Sequence, residues 1–474
     1  MMYDSSPSFP IGQEVIIGCT VGVLGGLLTL VAASVIHPVV AIALPIAVVM
    51  GSIVVAHPSI GALMLILLSY LDGIGDRLFF FSPVSGFKLI TAATVLGLLL
   101  SAYKNRDHLH DAFRQPTTLW VMGFSAAWLV AILFAQSKSA ALDWGPRLMT
   151  IKLIFFFVLF ALNTPKRVTL GVLFVAMASG ISAIILIADT LLGTTLVSTS
   201  EAATTARSSE GFDRSSGASQ ENPTTAATML LCGTIIALVL AIESPKWRKA
   251  MAVCAFLGTS AVVLSFARSA ALVYAVIVIL LAVRYGQYQK FAPIAVILGI
   301  CAVAMLPFVP PEYFSRITSI FNSDGDWTLG RRMTYNVIGV DLLTKYPVFG
   351  VGPGNFYNIF PDPEYRDLPG RTLFGRQLHN MYLSVAVDYG LFGFTFFMGM
   401  ILSAFAMLKA IVATPANDDF RALAVALHYG MIAFYIVSVF VPNEYNKYTW
   451  LLPGLATAMY LANRSSLLLK KGAP

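Results

Sequence analysis

Charged side chains are scarce in this sequence. Asp, Glu, Lys and Arg make up 12% of its 474 residues, against about 25% in soluble domains, which excludes an ordinary water-solvated fold. Cysteine is also rare. Cys19, Cys232, Cys254 and Cys301 all lie in apolar segments without metal-ligand spacing, so neither a disulfide framework nor a zinc site is expected. Of the six histidines, His37, His57, His108, His110 and His428 show no ligand-like clustering. No internal repeat is visible, and the inverted-repeat transporter architecture therefore has no support. Residues 1–14 are polar and slightly acidic and lack a basic n-region, so a cleavable signal peptide is not expected. The net charge of +7 does not point to nucleic acid. Much of it sits in short loops, where lysine and arginine set membrane orientation.

What the chain has in abundance is apolar length. Hydrophobic residues make up 57% of it, in runs matching the roughly 17–25 residues a helix needs to cross a bilayer. Continuous runs exclude the alternating pattern of a barrel. About fourteen segments can be read, near 15–36, 39–56, 59–71, 89–103, 117–135, 147–162, 168–191, 224–243, 250–266, 268–284, 292–309, 379–410, 421–442 and 448–463. Two of these are short, so an all-α polytopic protein with about 12–14 transmembrane helices is expected. Lys104, Arg106 and Arg114 share one connection, Lys166 and Arg167 another, and Lys246, Arg248 and Lys249 a third. Arg284 and Lys290 mark a fourth, Arg421 flanks a fifth, and Lys470 and Lys471 end the chain. From the fourth segment onward these fall on every second connection, which predicts both termini on the cytoplasmic side.

The opposite face then receives two long segments. One, 193–223, is rich in Ser, Thr and Ala; the other, 310–378, is too long for a plain connector and reads as a folded insert. The insert carries Arg316, Arg331, Arg332, Lys345, Arg366, Arg371 and Arg376, balanced by acids. Between Gly330 and Lys345 the residues Met333, Val337, Val340 and Leu343 recur at helical spacing. A Pro/Gly-rich turn follows, from Tyr346 to Gly354. Its glycines Gly350, Gly352 and Gly354 suit a tight backbone path, or alternatively a phosphate cradle. Asp324 and Asp326 read as a solvated turn. Phe79, Phe80, Phe81 and Pro83 fit an outer interfacial loop that could guide a lipid tail.

Several charges stand where lipid penalises them. Arg268 separates two apolar runs with almost no loop, in Ser265-Phe266-Ala267-Arg268-Ser269. It is either a snorkelling arginine at a helix end or an anion ligand. Arg214 precedes the next apolar segment and by itself could be an ordinary loop charge. Lys152, five residues after Arg147 inside an apolar run, is expected to snorkel outward. His379 opens a long apolar segment where the insert re-enters the membrane, and an imidazole is the usual general base near neutrality.

Two stretches, taken together, resemble the O-antigen ligase and polymerase superfamily. The first is Ser265-Phe266-Ala267-Arg268-Ser269-Ala270-Ala271. The second runs from Gly330-Arg331-Arg332 through Pro347-Val348-Phe349-Gly350-Val351-Gly352-Pro353-Gly354-Asn355-Phe356 to Leu378-His379-Asn380-Met381-Tyr382-Leu383 and Tyr389-Gly390-Leu391-Phe392-Gly393. Their order and spacing carry the resemblance, over about residues 210–440. Where family members often have small residues and glycine around the first arginine, this chain has Phe266 and Ser269, which clouds the subfamily.

The resemblance implies a GT-C-like membrane glycosyltransferase of the bacterial inner membrane. Its parts would be N-terminal transmembrane helices (1–209), a catalytic region (210–440) that includes the insert, and a final helix with a cytoplasmic tail (441–474). It implies transfer of a glycan from undecaprenyl diphosphate to a hydroxyl of lipid A-core or of another carrier-linked glycan, without metal or cofactor. His379 would be the base and Arg268 would stabilise the leaving diphosphate. Arg214, Arg331, Arg332 and Asn380 are the substrate-binding candidates, since guanidinium forks bind phosphate oxygens bidentately. Lipopolysaccharide ligase, exopolysaccharide or O-antigen polymerase, and a lipid-linked oligosaccharide flippase remain the alternatives.

Overall fold

The computed structural model describes residues 38–74, 86–194, 196–197, 214–286, 327–369 and 374–472, with 299, 303 and 307. Every regular element among them is helical. In chain order they are α1 (Pro38–Ala56), α2 (Pro58–Tyr70), α3 (Gly86–Ser101), α4 (Arg106–Phe113), α5 (Pro116–Leu133), α6 (Lys138–Ala161), α7 (Pro165–Leu192), α8 (Pro223–Glu243), α9 (Arg248–Leu264), α10 (Arg268–Tyr285), α11 (Trp327–Lys345), α12 (Asn355–Ile359), α13 (Met381–Ala413), α14 (Asp418–Val437) and α15 (Lys447–Gly472). Pro38, Pro58, Pro116, Pro165 and Pro223 each open a helix, where a missing N–H costs nothing.

Seven of the described helices are long and apolar enough to cross a membrane, or up to nine if two bent pairs are each one span. This is fewer than the twelve to fourteen expected. The segments near 15–36 and 292–309 lie wholly or largely outside the described residues. The apolar runs at 39–56 and 59–71 meet at a bend of 118°. α9 has only 17 residues, and α15 is interrupted by a polar stretch, Asn463-Arg464-Ser465-Ser466, six residues before its end.

α8 is the axis of the bundle. All residues from Thr225 to Ile242 are buried, and α7, α9, α10 and α14 surround it. Between apolar helices in lipid there is no water to expel, so close backbone approach over small residues does the packing. Gly233 admits Ser179 of α7, Gly258 of α9 admits Thr234, and Gly430 of α14 admits Ile236; a methyl at any of them would collide with that neighbour. Asn222 caps α8, its Oδ1 accepting from the N–H groups of Thr224 and Thr225 at 3.0 Å each.

Lys152 does not snorkel. It is 2% exposed, with Nζ 5.4 Å from the Phe124 ring, 5.3 Å from Trp128 and 6.0 Å from Trp450, and it donates to Ser125 Oγ at 3.4 Å. Ring faces replace the lost water. The snorkelling expectation fails because three aromatics from two other helices, Phe124 and Trp128 of α5 and Trp450 of α15, converge on this one lysine.

The bundle has two distinct ends. At one, Gly73 N–H donates to Ala218 O (3.0 Å), Gln136 N–H to Val351 O (3.0 Å) and Met381 N–H to Ser438 O (2.9 Å). At the other, Asn163 Nδ2 donates to Asn105 Oδ1 (3.2 Å), Lys246 pairs with Asp419 (3.4 Å) and Ala416 N–H donates to Asn463 Oδ1 (2.7 Å). The basic connections holding Lys104, Arg167, Lys246 and Lys470 belong to this second end.

The described part of the insert has a small core of its own. Tyr335, Ile338, Leu342, Val351, Phe356, Phe360, Tyr365 and Leu378 cluster with Val387 of α13. A helix forms as expected over α11, but Met333, Val337 and Val340 face outward at 71%, 46% and 53% exposure. Tyr335, Ile338 and Leu342 supply the buried face.

α13 is broken at Gly390 (φ 64, ψ −177). The freed carbonyls of Val387 and Asp388 accept from the N–H groups of Val351 (2.8 Å) and Gly352 (3.1 Å), while those of Leu391 and Phe392 donate to Pro347 O (2.8 Å) and Val348 O (3.2 Å). Gly350, Gly352 and Gly354 hold φ of 73, 94 and 74 to follow this path. The turn thus spends its amides on the broken helix, and its backbone serves structure rather than a phosphate cradle.

A side chain at Gly390 would meet the Val348 carbonyl in a left-handed conformation. Gly390→Ala should therefore lose roughly 1–3 kcal/mol, read as a lower thermal midpoint in detergent. Gly51→Ala, where an added methyl meets open space, should leave the midpoint unchanged or slightly higher.

Candidate active site

Consecutive helices α9 and α10 are joined by three residues, and the joint is strained. Phe266 has φ 52, a left-handed conformation that costs a bulky residue about 1–2 kcal/mol. The surroundings hold it there. Phe266 is 4% exposed; Ser265 Oγ donates to Val262 O (2.7 Å) and accepts from Ala267 N–H (3.3 Å). Arg214 Nε donates to Ser265 O at 3.0 Å, and its Nη2 donates to Thr224 Oγ1 at 3.3 Å. The tight joint makes Arg268 the first residue of α10, where the helix dipole adds positive potential to its own charge.

A second strand of chain approaches from the insert. His379 and Asn380 precede α13, and Asn380 Oδ1 caps that helix, accepting from Tyr382 N–H (3.1 Å) and Leu383 N–H (3.2 Å). The His379 ring stacks on Tyr335 of α11, with centroids 5.4 Å apart and planes at 26°. Neither ring nitrogen of His379 has a hydrogen-bond partner among the described residues.

These elements enclose a cavity of about 370 Å³, lined by Arg268, Ser269 and Leu272 from α10, Arg332, Met333 and Asn336 from α11, then His379, Asn380, Val439 and Phe440. Four candidates from the sequence thus share one pocket: Arg268, Arg332, His379 and Asn380. Two do not line it. Arg214 is 7% exposed and braces the joint from behind, and Arg331 reaches the phenol of Tyr335. The Asp324–Asp326 pair, Arg316, Arg371 and the Phe79–Phe81 run lie outside the described residues. Arg366 is exposed and pairs with Asp367 at 3.9 Å.

The pocket wall at Val439 and Phe440 belongs to a loop that is pinned by polar contacts. Asn443 Nδ2 donates to Ser438 Oγ (2.7 Å), Ser384 Oγ to Glu444 Oε1 (2.6 Å) and Tyr445 OH to Asp388 Oδ2 (2.8 Å). Burial pushes the Glu444 carboxyl up to about 8, which favours its protonated form. None of this network was visible in sequence, because its members are scattered over α13 and the segment after α14. Tyr335 was missed too, although it sits one turn after Arg331 on the same helix.

Burial first, then the guanidiniums of Arg332, Arg376 and Arg331, pull His379 from 6.5 down to about 4. The imidazole is therefore neutral at pH 7 and open to accept a proton. The positive charges around it oppose its protonation, and a bound anion would offset them.

A helical, multi-pass membrane protein with a cation-lined pocket at one end of its bundle is the class these features define. Residues 250–398 match the family model described as O-antigen ligase, and the chain accordingly carries a domain of the O-antigen ligase superfamily, which supports ligase- or polymerase-type activity in general. The matched span begins inside α9 and ends inside α13. It includes the joint with Arg268, the insert, His379 and the break at Gly390, but not Arg214. No curated protein matches the chain significantly.

Arg214→Ala would leave the Ser265 carbonyl without its charged donor, at a cost of roughly 1–3 kcal/mol. It should lower the thermal midpoint in detergent, whereas Arg268→Ala, at a pocket wall, should leave the midpoint nearly unchanged.

Proposed function

We propose that the protein transfers a glycan from a polyprenyl diphosphate carrier, undecaprenyl diphosphate in bacteria, to a hydroxyl of an acceptor sugar. The observation that carries this reading is one pocket holding Arg268, Arg332, His379 and Asn380 together, four residues that all lie in the part of the chain matching O-antigen ligase. The basic connections gather at the far end of the bundle, and by the positive-inside bias this supports a pocket on the periplasmic side of the inner membrane, with both termini cytoplasmic.

In this reading the diphosphate lies between Arg268 and Arg332, at the start of α10. The acceptor oxygen attacks the anomeric carbon as His379 takes its proton. The bond from that carbon to the carrier oxygen breaks, and its electron pair leaves as diphosphate charge. Fixed guanidiniums stabilise that charge without reorganising during the reaction. The Asn380 amide nitrogen, whose side-chain oxygen is committed to the cap, supplies a further donor. Arg214 acts through the joint as a positioning residue. One displacement from the opposite face inverts the anomeric configuration.

The test is transfer in nanodiscs with a carrier-linked glycan, in the presence of EDTA, with and without lipid A-core. Product only with lipid A-core identifies a ligase, and a ladder of longer carrier-linked chains a polymerase. If neither forms while the glycan crosses liposome membranes, the protein is a transporter and the proposal fails.

Arg268→Ala should lower kcat/KM by about 100-fold or more, with expression intact; wild-type activity in that variant removes the clamp. For His379, kcat/KM reports the free protein, so its acidic limb should fall well below pH 6.5, toward pH 4. The limb of kcat should lie higher, because the bound diphosphate offsets the arginines. An acidic limb unchanged in His379→Ala would exclude the base role.

A further inference from the structure

Arg331 and Arg332 are neighbours on α11, about 100° apart around the helix, and they do different things. Arg332 lines the cavity with Arg268. Arg331 points its guanidinium at the phenol of Tyr335, the buried ring that stacks on His379. Arg376 arrives on the chain just before His379, with its guanidinium 5.9 Å from the Phe374 ring, and it also does not line the cavity. Nε of Arg331 and Nε of Arg376 are both buried without a hydrogen-bond partner. No carboxylate pairs with either among the described residues.

Guanidiniums cannot shed their protons. A buried donor left unmade is costly, and two fixed positive charges beside one imidazole repel each other and it. An anion with at least two oxygens is the complement that satisfies the forks and the field together. The donor diphosphate, in the reading above, already occupies Arg268 and Arg332 inside the cavity. A displacement reaction also needs the acceptor at His379, away from the leaving group.

We propose that Arg331 and Arg376 form a second anion site beside the Tyr335–His379 stack, which binds a phosphate or carboxylate carried by the acceptor glycan. The site places an acceptor hydroxyl at His379 by gripping the acceptor's own charge. Phosphorylated or uronate-bearing glycans are then the substrate class, and their neutral counterparts are poor acceptors. This assignment of donor and acceptor sides rests on the transfer reaction proposed above.

The experiment measures binding and needs no turnover. The full-length protein in nanodiscs is saturated with undecaprenyl diphosphate and titrated with oligosaccharides that differ only in bearing a phosphate, a carboxylate or neither. The anionic probes should bind at least ten-fold more tightly than the neutral one. Arg331→Gln with Arg376→Gln should erase that preference while leaving carrier-diphosphate affinity within two-fold. Arg268→Gln should do the reverse. Arg331→Lys, which keeps charge and loses the fork, should retain part of the preference and confirms that a folded site is being read.

Equal binding of all probes to the wild-type protein, or binding of none, overturns the proposal. So does a loss of carrier-diphosphate affinity in the double variant as large as in Arg268→Gln, since both arginines would then belong to the donor site. Absence of transfer in the wild-type protein, with the probe preference intact, would count against the transferase reading and leave the anion site standing.

Discussion

A helix broken inside a membrane protein exposes backbone groups that lipid cannot satisfy, and the break at Gly390 is the constraint from which the functional end of this molecule is built. The groups it frees are taken one for one by residues 347–352. That pairing fastens the insert to α13, the helix that begins immediately after His379 and Asn380. Through the core shared by Tyr335, Ile338, Leu342 and Val387, it also fixes α11 against the start of α13. The arginines of α11 and the imidazole before α13 are therefore positioned by one backbone accommodation, although Arg332 and His379 are far apart in sequence.

The other wall is held by a different device. A three-residue joint carries a non-glycine residue in a left-handed conformation, offset by burial of Phe266 and by the buried guanidinium of Arg214. Rigidity of this kind suits electrostatic work. Charges that already stand where negative charge will develop need not move when it does. Burial, reinforced by the same field, keeps the His379 imidazole neutral, and an anion in the pocket would offset the part that the arginines contribute.

Much of this was readable before any coordinates. Composition and run length suffice for an all-helical membrane fold, and the order of short motifs points to the family. Arg268, His379 and Asn380 stand out because each sits at a helix boundary, where local sequence carries the signal, whereas Arg332 lies inside α11 and stands out only through the resemblance of its Gly-Arg-Arg motif. The roles of Arg214 and Arg331 could not be resolved, because a buried brace and a pocket ligand look the same in one dimension. Met333, Val337 and Val340 show the same limit: their period marked a helix, while burial was decided by which face meets α13. Lys152 needed aromatic partners from two other helices, α5 and the distant α15, and no local pattern announces that.

The complete enclosure of α8 has a bearing on how the molecule is made. Its mean hydropathy of 2.3 is among the highest of the candidate spans, although in the finished bundle it meets no lipid. Its partner α14 (Asp418–Val437) lies far further along the chain than α8 itself (Pro223–Glu243), so during synthesis, which proceeds from the N-terminus, α8 must wait in the bilayer before it is fully covered. Greasy residues let it wait; small ones, such as Gly233 and Thr234, let it be covered closely afterwards. The composition of this helix thus answers to two successive solvents, lipid first and protein second.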